Sequence, residues 1–165
     1  MQILGLDPGT ATTGYGLVCE EKYQMRALCH GVVRTESSTP MHRRLFKIHN
    51  ELLDVLKEHG ADAVAVEKLY FNKNVQSAMK VGQARGVILL TAAIYDAEVL
   101  EYTPSEVKMA VTGHGRAPKD QVGNMVGAAL KMRQKPTPDD AADALAVAVC
   151  GLRKWQWERT LEGGK

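Results

Sequence analysis

Asp7 closes the short apolar run 2–6, and Glu67 closes another, Ala63-Val64-Ala65-Val66. Asp140 and Asp143 stand three apart, and Asp143 opens the apolar run 144–149. Residues three apart share a helix face, so the last pair can point at one spot. Acids at strand ends and on a neighbouring helix can converge on one pocket. Such a cluster is costly without cations, because like charges raise each other's pKa. Mg²⁺ takes hard oxygen ligands and keeps several waters. Two such ions about 3.5–4 Å apart stabilise both the attacking and the leaving oxygen of a phosphodiester. The chemistry implied is metal-assisted phosphodiester hydrolysis. Each acid also has an ordinary explanation. Asp7 before Pro8-Gly9 can serve a turn, Asp140 can answer the helix dipole, and Glu67 can pair with a surface lysine. All four being ordinary at once is the weaker reading. Spacing leaves Asp139 open beside Asp140, since 139/143 and 140/143 both share a face.

These acids need strands and a helix to hold them. Residues 2–6, 13–20 and 24–35 read as three strands, with Glu21-Lys22 at a turn. The period then becomes helical through Leu45, Ile48, Leu52 and Val55/Leu56, with Thr39 as cap, Pro40 as first helical residue and Gly60 as stop. Residues 63–67 form a strand with Val64 and Val66 on one face. A long helix spans 75–97, a strand 99–102, a short helix begins at Pro104, and another covers 119–131. Thr137-Pro138 opens a last helix to about Leu152. Three strands in a meander followed by β/α units imply an α/β protein, a mixed five-stranded sheet with helices on both faces. This is the element order of the RNase H-like fold. One nuclease domain is expected over 1–155, with a flexible C-terminal tail over 156–165.

The chain has 165 residues, 45% of them hydrophobic, enough for a packed core and too apolar for a disordered tail. Its net charge of +2 permits nucleic-acid binding without arguing for it. Three cysteines, none in a zinc-ligand spacing, fit a reducing compartment. The N-terminus lacks the basic start of a signal peptide. The longest apolar stretch, 87–95, falls far short of the roughly 20 residues that span a bilayer. A soluble, cytoplasmic protein is expected.

Basic and aromatic residues surround the acids in sequence. Lys108, His114, Arg116 and Lys119 cluster around Gly113 and Gly115, where lysines and arginines could neutralise phosphates. For His114 and Arg116 an ordinary loop position is the competing reading. Lys73, Lys80 and Arg85 sit on or before the long helix, where a solvated face is the competing reading and the simplest role for Lys73, while Arg85 neighbours Gly86 and an apolar segment. Tyr70 and Phe71 follow Glu67 closely, and an aromatic there can stack on an unpaired base for about 1–3 kcal/mol.

Taken in order, the motifs Gly5-Leu6-Asp7-Pro8-Gly9-Thr10, Ala65-Val66-Glu67, Lys80-Val81-Gly82-Gln83-Ala84-Arg85-Gly86, Gly113-His114-Gly115-Arg116-Ala117-Pro118-Lys119 and Asp140-Ala141-Ala142-Asp143-Ala144-Leu145-Ala146 resemble the RuvC family of bacterial Holliday junction resolvases. The resemblance covers residues 1 to about 152. It implies metal ligands at Asp7, Glu67, Asp140 and Asp143, selecting Asp140 over Asp139. It implies two Mg²⁺ per active site, with Mn²⁺ as a substitute, and a catalytic lysine at Lys119. It places Lys108 and Lys119 near the catalytic centre, and together with Tyr70, Phe71, Lys80, Arg85 and Arg116 these are the expected DNA contacts. The family often has a single aromatic three residues past its second acid. Here Tyr70 and Phe71 are adjacent, with Tyr70 the first choice for stacking. The implied activity is a homodimer that nicks a four-way DNA junction symmetrically, leaving 5′-phosphate ends, alongside the branch-migration proteins RuvA and RuvB. A non-catalytic branched-DNA binding protein of the same fold is the alternative. The acids argue against it, because phosphate binding gains nothing from a negative pocket. A nucleotide-dependent kinase of the actin-like type, suggested by Asp7-Pro8-Gly9-Thr10, would pair two such domains, and this chain has room for one.

Overall fold

The computed structural model describes residues 1–22, 24–68 and 75–162. Five strands form one sheet in the order β3-β2-β1-β4-β5. They are β1 (Gln2–Asp7), β2 (Thr12–Glu21), β3 (Gln24–Arg34), β4 (Ala63–Glu67) and β5 (Glu98–Tyr102). β1, β2 and β3 pair antiparallel, while β4 runs parallel to β1 and β5 parallel to β4. The sheet is therefore mixed, as expected. The helices are α1 (Met41–His59), α2 (Val75–Tyr95), α3 (Pro104–Thr112), α4 (Lys119–Ala129) and α5 (Asp139–Glu162).

Side chains alternate across a strand, and the core divides accordingly. Leu4, Leu6, Leu17, Val64 and Val66 point to one face, where they meet Ile48, Leu52 and Leu56 of α1 and Ala84, Ile88 and Ala92 of α2. Ile3, Val18, Ala63, Ala65 and Tyr102 point to the other, against α3, α4 and α5. The same alternation sends Asp7 and Glu67, which extend the Ile3 and Ala63 series, to the face covered by α5. Helices thus lie on both faces. No helix among the described residues is long and apolar enough to cross a membrane.

The helix starts differ from the sequence expectation. Pro40 is the cap of α1 rather than its first residue: its carbonyl accepts the amides of Arg43 and Arg44, and no side chain caps the helix. Pro138 plays the same part for α5, accepting from Ala141 and Ala142. The last helix does not stop near Leu152 but continues to Glu162, so residues 156–162 of the expected tail are helical. Contacts with α3 and β5 carry it onward. Arg153 donates to the Ala110 carbonyl, and Lys154 Nζ lies 2.6 Å from Glu106 Oε1 and 4.6 Å from the Tyr102 ring centre.

Candidate active site

β1 and β4 are parallel neighbours with Leu6 beside Val66, so Asp7 and Glu67 leave the same end of adjacent strands on the same face. α5 lies across that face and brings Asp143 to them. Asp7, Glu67 and Asp143 line a pocket of about 210 Å³, together with Lys108 from α3 and Lys119 from the first turn of α4. Val107, Val122 and Ala146 give it an apolar wall. Asp140 is not part of that wall. It lies half-buried one turn earlier on α5, close enough for its charge to act on Asp7 and Lys119.

The approach of α5 depends on two glycines that sequence reading passed over. A Cβ built on Gly5 would fall 2.1 Å from the carbonyl oxygen of Ala144, and one on Gly14 would fall 2.0 Å from that of Asp140. Both are backbone collisions, which no rotamer change relieves. Any side chain at either place would lift α5 from the sheet and carry Asp140 and Asp143 with it. Glycine inside a strand is a sign of such close approach.

α3 and α4 hold the two lysines. A capping box between Thr103 and Glu106 fixes the start of α3, and Gly113 at φ 75° ends it. Thr112 Oγ1 accepts from the His114 amide at 3.1 Å, tying the following loop back to α3. Pro118 then caps α4 in an extended conformation, and Lys119 is the first helical residue. Lys119 Nζ lies 2.8 Å from Asp143 Oδ2 and 3.7 Å from Asp139 Oδ2.

The pocket is electrostatically tense. Burial, followed by the charges of Asp143, Asp140 and Glu67, raises the Asp7 carboxyl to about 7, with Lys119 opposing. Glu67 is also held above the usual carboxylate range by burial and by Asp143, with Lys108 opposing. The hydrogen bond to Asp143 raises Lys119, which therefore stays an ammonium at neutral pH. Such carboxylates gain most from a divalent cation. Among the described residues no group of three or more His, Cys, Asp or Glu is arranged to hold a metal ion unaided. Mg²⁺ does not need a closed cage, because it keeps several waters and is commonly held by one or two carboxylates plus substrate phosphate. An open pocket of oxygen donors under mutual repulsion fits that ion.

The other expected site residues are scattered. Arg116 is exposed in the loop before α4, and its amide donates to His114 Nδ1 at 3.2 Å. Lys80 is exposed on α2. Arg85 lies away from the pocket, bound to Glu101 Oε2 at 2.6 Å on the sheet face that carries α2. Tyr70, Phe71 and Lys73 lie outside the described residues.

The comparisons with known proteins agree with one another. Residues 3–151 match the family described as crossover junction endodeoxyribonuclease RuvC. The crossover junction endodeoxyribonuclease RuvC of Moorella thermoacetica is 52% identical over 159 residues, covering 96% of this chain and 95% of that protein. Among solved structures, Thermus thermophilus RuvC is similar at a TM-score of 0.88 and 35% identity, covering 96% of this chain and 97% of that one. T. thermophilus RuvC in complex with a Holliday junction substrate is similar at a TM-score of 0.86 and 38% identity, covering 91% and 92% of the two chains.

Proposed function

The chain belongs to the RuvC family of crossover junction endodeoxyribonucleases, and we propose that it resolves four-way (Holliday) DNA junctions by hydrolysing phosphodiester bonds at the Asp7–Glu67–Asp143 pocket. The carrying observation is the convergence of these three acids, from two parallel strand ends and one helix, on an RNase H-like sheet. Bound there, divalent cations, Mg²⁺ or Mn²⁺ in its place, would supply activated water and charge neutralisation at phosphate. Asp7, Glu67, Asp140 and Asp143 would hold two of them. Nuclease products of this class should be nicked duplexes with 5′-phosphate ends. DNA ligase is expected to seal them without prior processing, whereas gaps or blocked ends would contradict the reading.

Lys119 and Lys108 bring positive charge to the same pocket from the helix side. A preorganised ammonium stabilises charge that develops on phosphate in the transition state. Lys119→Ala is expected to lower the single-turnover rate about 10²-fold and to weaken junction binding far less. A rate equal to wild type would remove Lys119 from the reaction. Lys80, Arg85 and Arg116 remain candidates for phosphate contact, and Tyr70 or Phe71 for stacking on an opened base. Arg85 is the weakest of these, given its pairing with Glu101.

Symmetric cuts on a two-fold junction call for two sites related by a two-fold axis, which supports a homodimer. The 87–94 segment carries both a core face and a free face. Ile88 and Ala92 are buried, while Leu90 and Ile94 are 58% and 57% exposed. Two apolar side chains this open on one helix suit a second copy of the chain. Sedimentation at micromolar concentration should give a dimer, and Leu90→Glu should give a monomer. A monomeric wild type would refute the interface. The family reading also extends to work alongside RuvA and RuvB, and to a single domain in the cytoplasm.

A further inference from the structure

Beyond the loop 8–11 that follows Asp7, a second surface opens. It is a groove of about 700 Å³ between the end of β3 and the first turns of α1, with Arg34, Arg43, Arg44 and Lys47 in its wall. Glu36 is the sole carboxylate there among the described residues. Lys47 lies 3.5 Å from Glu51. Arg34, Arg43 and Arg44 have no ion-pair partner among the described residues. Arg44 is only 8% exposed. Its Nε donates to Thr35 Oγ1 at 2.7 Å, and Thr35 Oγ1 donates to the Thr10 carbonyl. The guanidinium is thus clamped by one edge to the loop beside Asp7, and its Nη groups lack a protein partner among the described residues. α1 starts at this groove with no side-chain cap and no acid in its first turn. Its positive dipole end adds to the uncompensated charge. Gathering these cations costs free energy unless an anion offsets it.

Register places the groove relative to the pocket. Arg34 pairs with Thr12 and Asp7 with Gly14, so both sites lie at the same end of the sheet. Arg34 is two strands from β1, about 10 Å across the sheet at the usual strand spacing. Among the described residues the wall contains no aromatic to hold a base. We infer that this groove binds the sugar–phosphate backbone of a DNA arm close to the scissile bond, independently of base sequence. The inference rests on the nuclease reading above, and supplies a phosphate clamp that aligns the arm over the acidic pocket.

Arg34 and Arg43 are exposed, so the R34A/R43A variant removes two charges without touching the core. Junction binding would be measured with Ca²⁺ in place of Mg²⁺ over a salt series. The variant is expected to bind about tenfold more weakly near physiological salt, with a log–log salt slope shallower by about 1.8, the value for two lost phosphate contacts. Neutral methylphosphonates scanned singly along the arm beside the cut should include positions that weaken wild type similarly and add nothing to R34A/R43A. An unchanged affinity and slope, or an equal methylphosphonate penalty in both proteins, overturns the groove assignment. Wild-type cleavage in Mg²⁺, run alongside, separates the two readings. Cleavage with an unaffected R34A/R43A removes the groove alone. Absence of cleavage with a weakened R34A/R43A removes the nuclease reading and leaves the groove as a DNA-binding surface.

Discussion

Junction cleavage by an Asp7→Asn variant is expected to fall by about 10³-fold or more, with junction affinity retained or improved. Losing one metal ligand forfeits several kcal/mol of transition-state stabilisation, and each 1.36 kcal/mol is tenfold in rate. Affinity for the junction comes from phosphate contacts, which a negative pocket opposes. The variant should also fold well. The Asp7 carboxyl is raised to about 7 by burial and by Asp143, Asp140 and Glu67. A group whose folded pKa lies above its unfolded value favours folding when protonated and loses that advantage as pH rises towards 7. Asparagine keeps the neutral state at every pH. At pH 8 without metal, Asp7→Asn should therefore melt no lower than wild type. Normal single-turnover cleavage by this variant would remove Asp7 from the centre, and loss of both folding and binding would make it a structural acid.

Asp140→Asn is expected to reduce metal-dependent cleavage about 10²-fold or more, of the order of one lost electrostatic partner at a reacting centre. Asp139→Asn should keep most activity and lose at most some tenths of a kcal/mol of stability. The two acids are neighbours with different surroundings. Asp139 is exposed and shares Lys119 and Lys135, each at 3.7 Å. Asp140 is half-buried, and its charge is among the causes that raise Asp7. Assayed on one junction under single-turnover conditions, a dead Asp139→Asn beside an active Asp140→Asn would shift the last motif by one residue.

The strand-end acids were legible because a strand's period of two and a parallel pairing leave little freedom. Once 2–6 and 63–67 are strands facing one core, Asp7 and Glu67 must emerge on one face. The choice between Asp139 and Asp140 was not legible from helical spacing. What the structure adds is their unequal exposure, set by the rotation of α5 about its axis, which seats the Asp140 carbonyl against Gly14. A glycine in a strand reads locally as weakness, so the seat that Gly5 and Gly14 form for α5 appears only when the helix is in place. The length of α5 is not legible because its last turns, Trp155 to Glu162, lack the continuous apolar run of 144–149. Bonds from Arg153 and Lys154 to α3, a helix more than 40 residues earlier, carry the helix past Leu152. The basic groove escaped notice because Arg34 ends a strand while Arg43 and Arg44 begin a helix. Each alone is an ordinary surface charge.

The most direct test of the central claim compares a synthetic four-way junction with linear duplex of the same sequence, with and without Mg²⁺, under single-turnover conditions. The convergence of Asp7, Glu67 and Asp143 in a pocket flanked by Lys108 and Lys119 predicts paired nicks in the junction only when metal is present, and little or no cutting of the linear duplex. Tight junction binding without cleavage in either Mg²⁺ or Mn²⁺, or equal cleavage of the linear duplex, would contradict it.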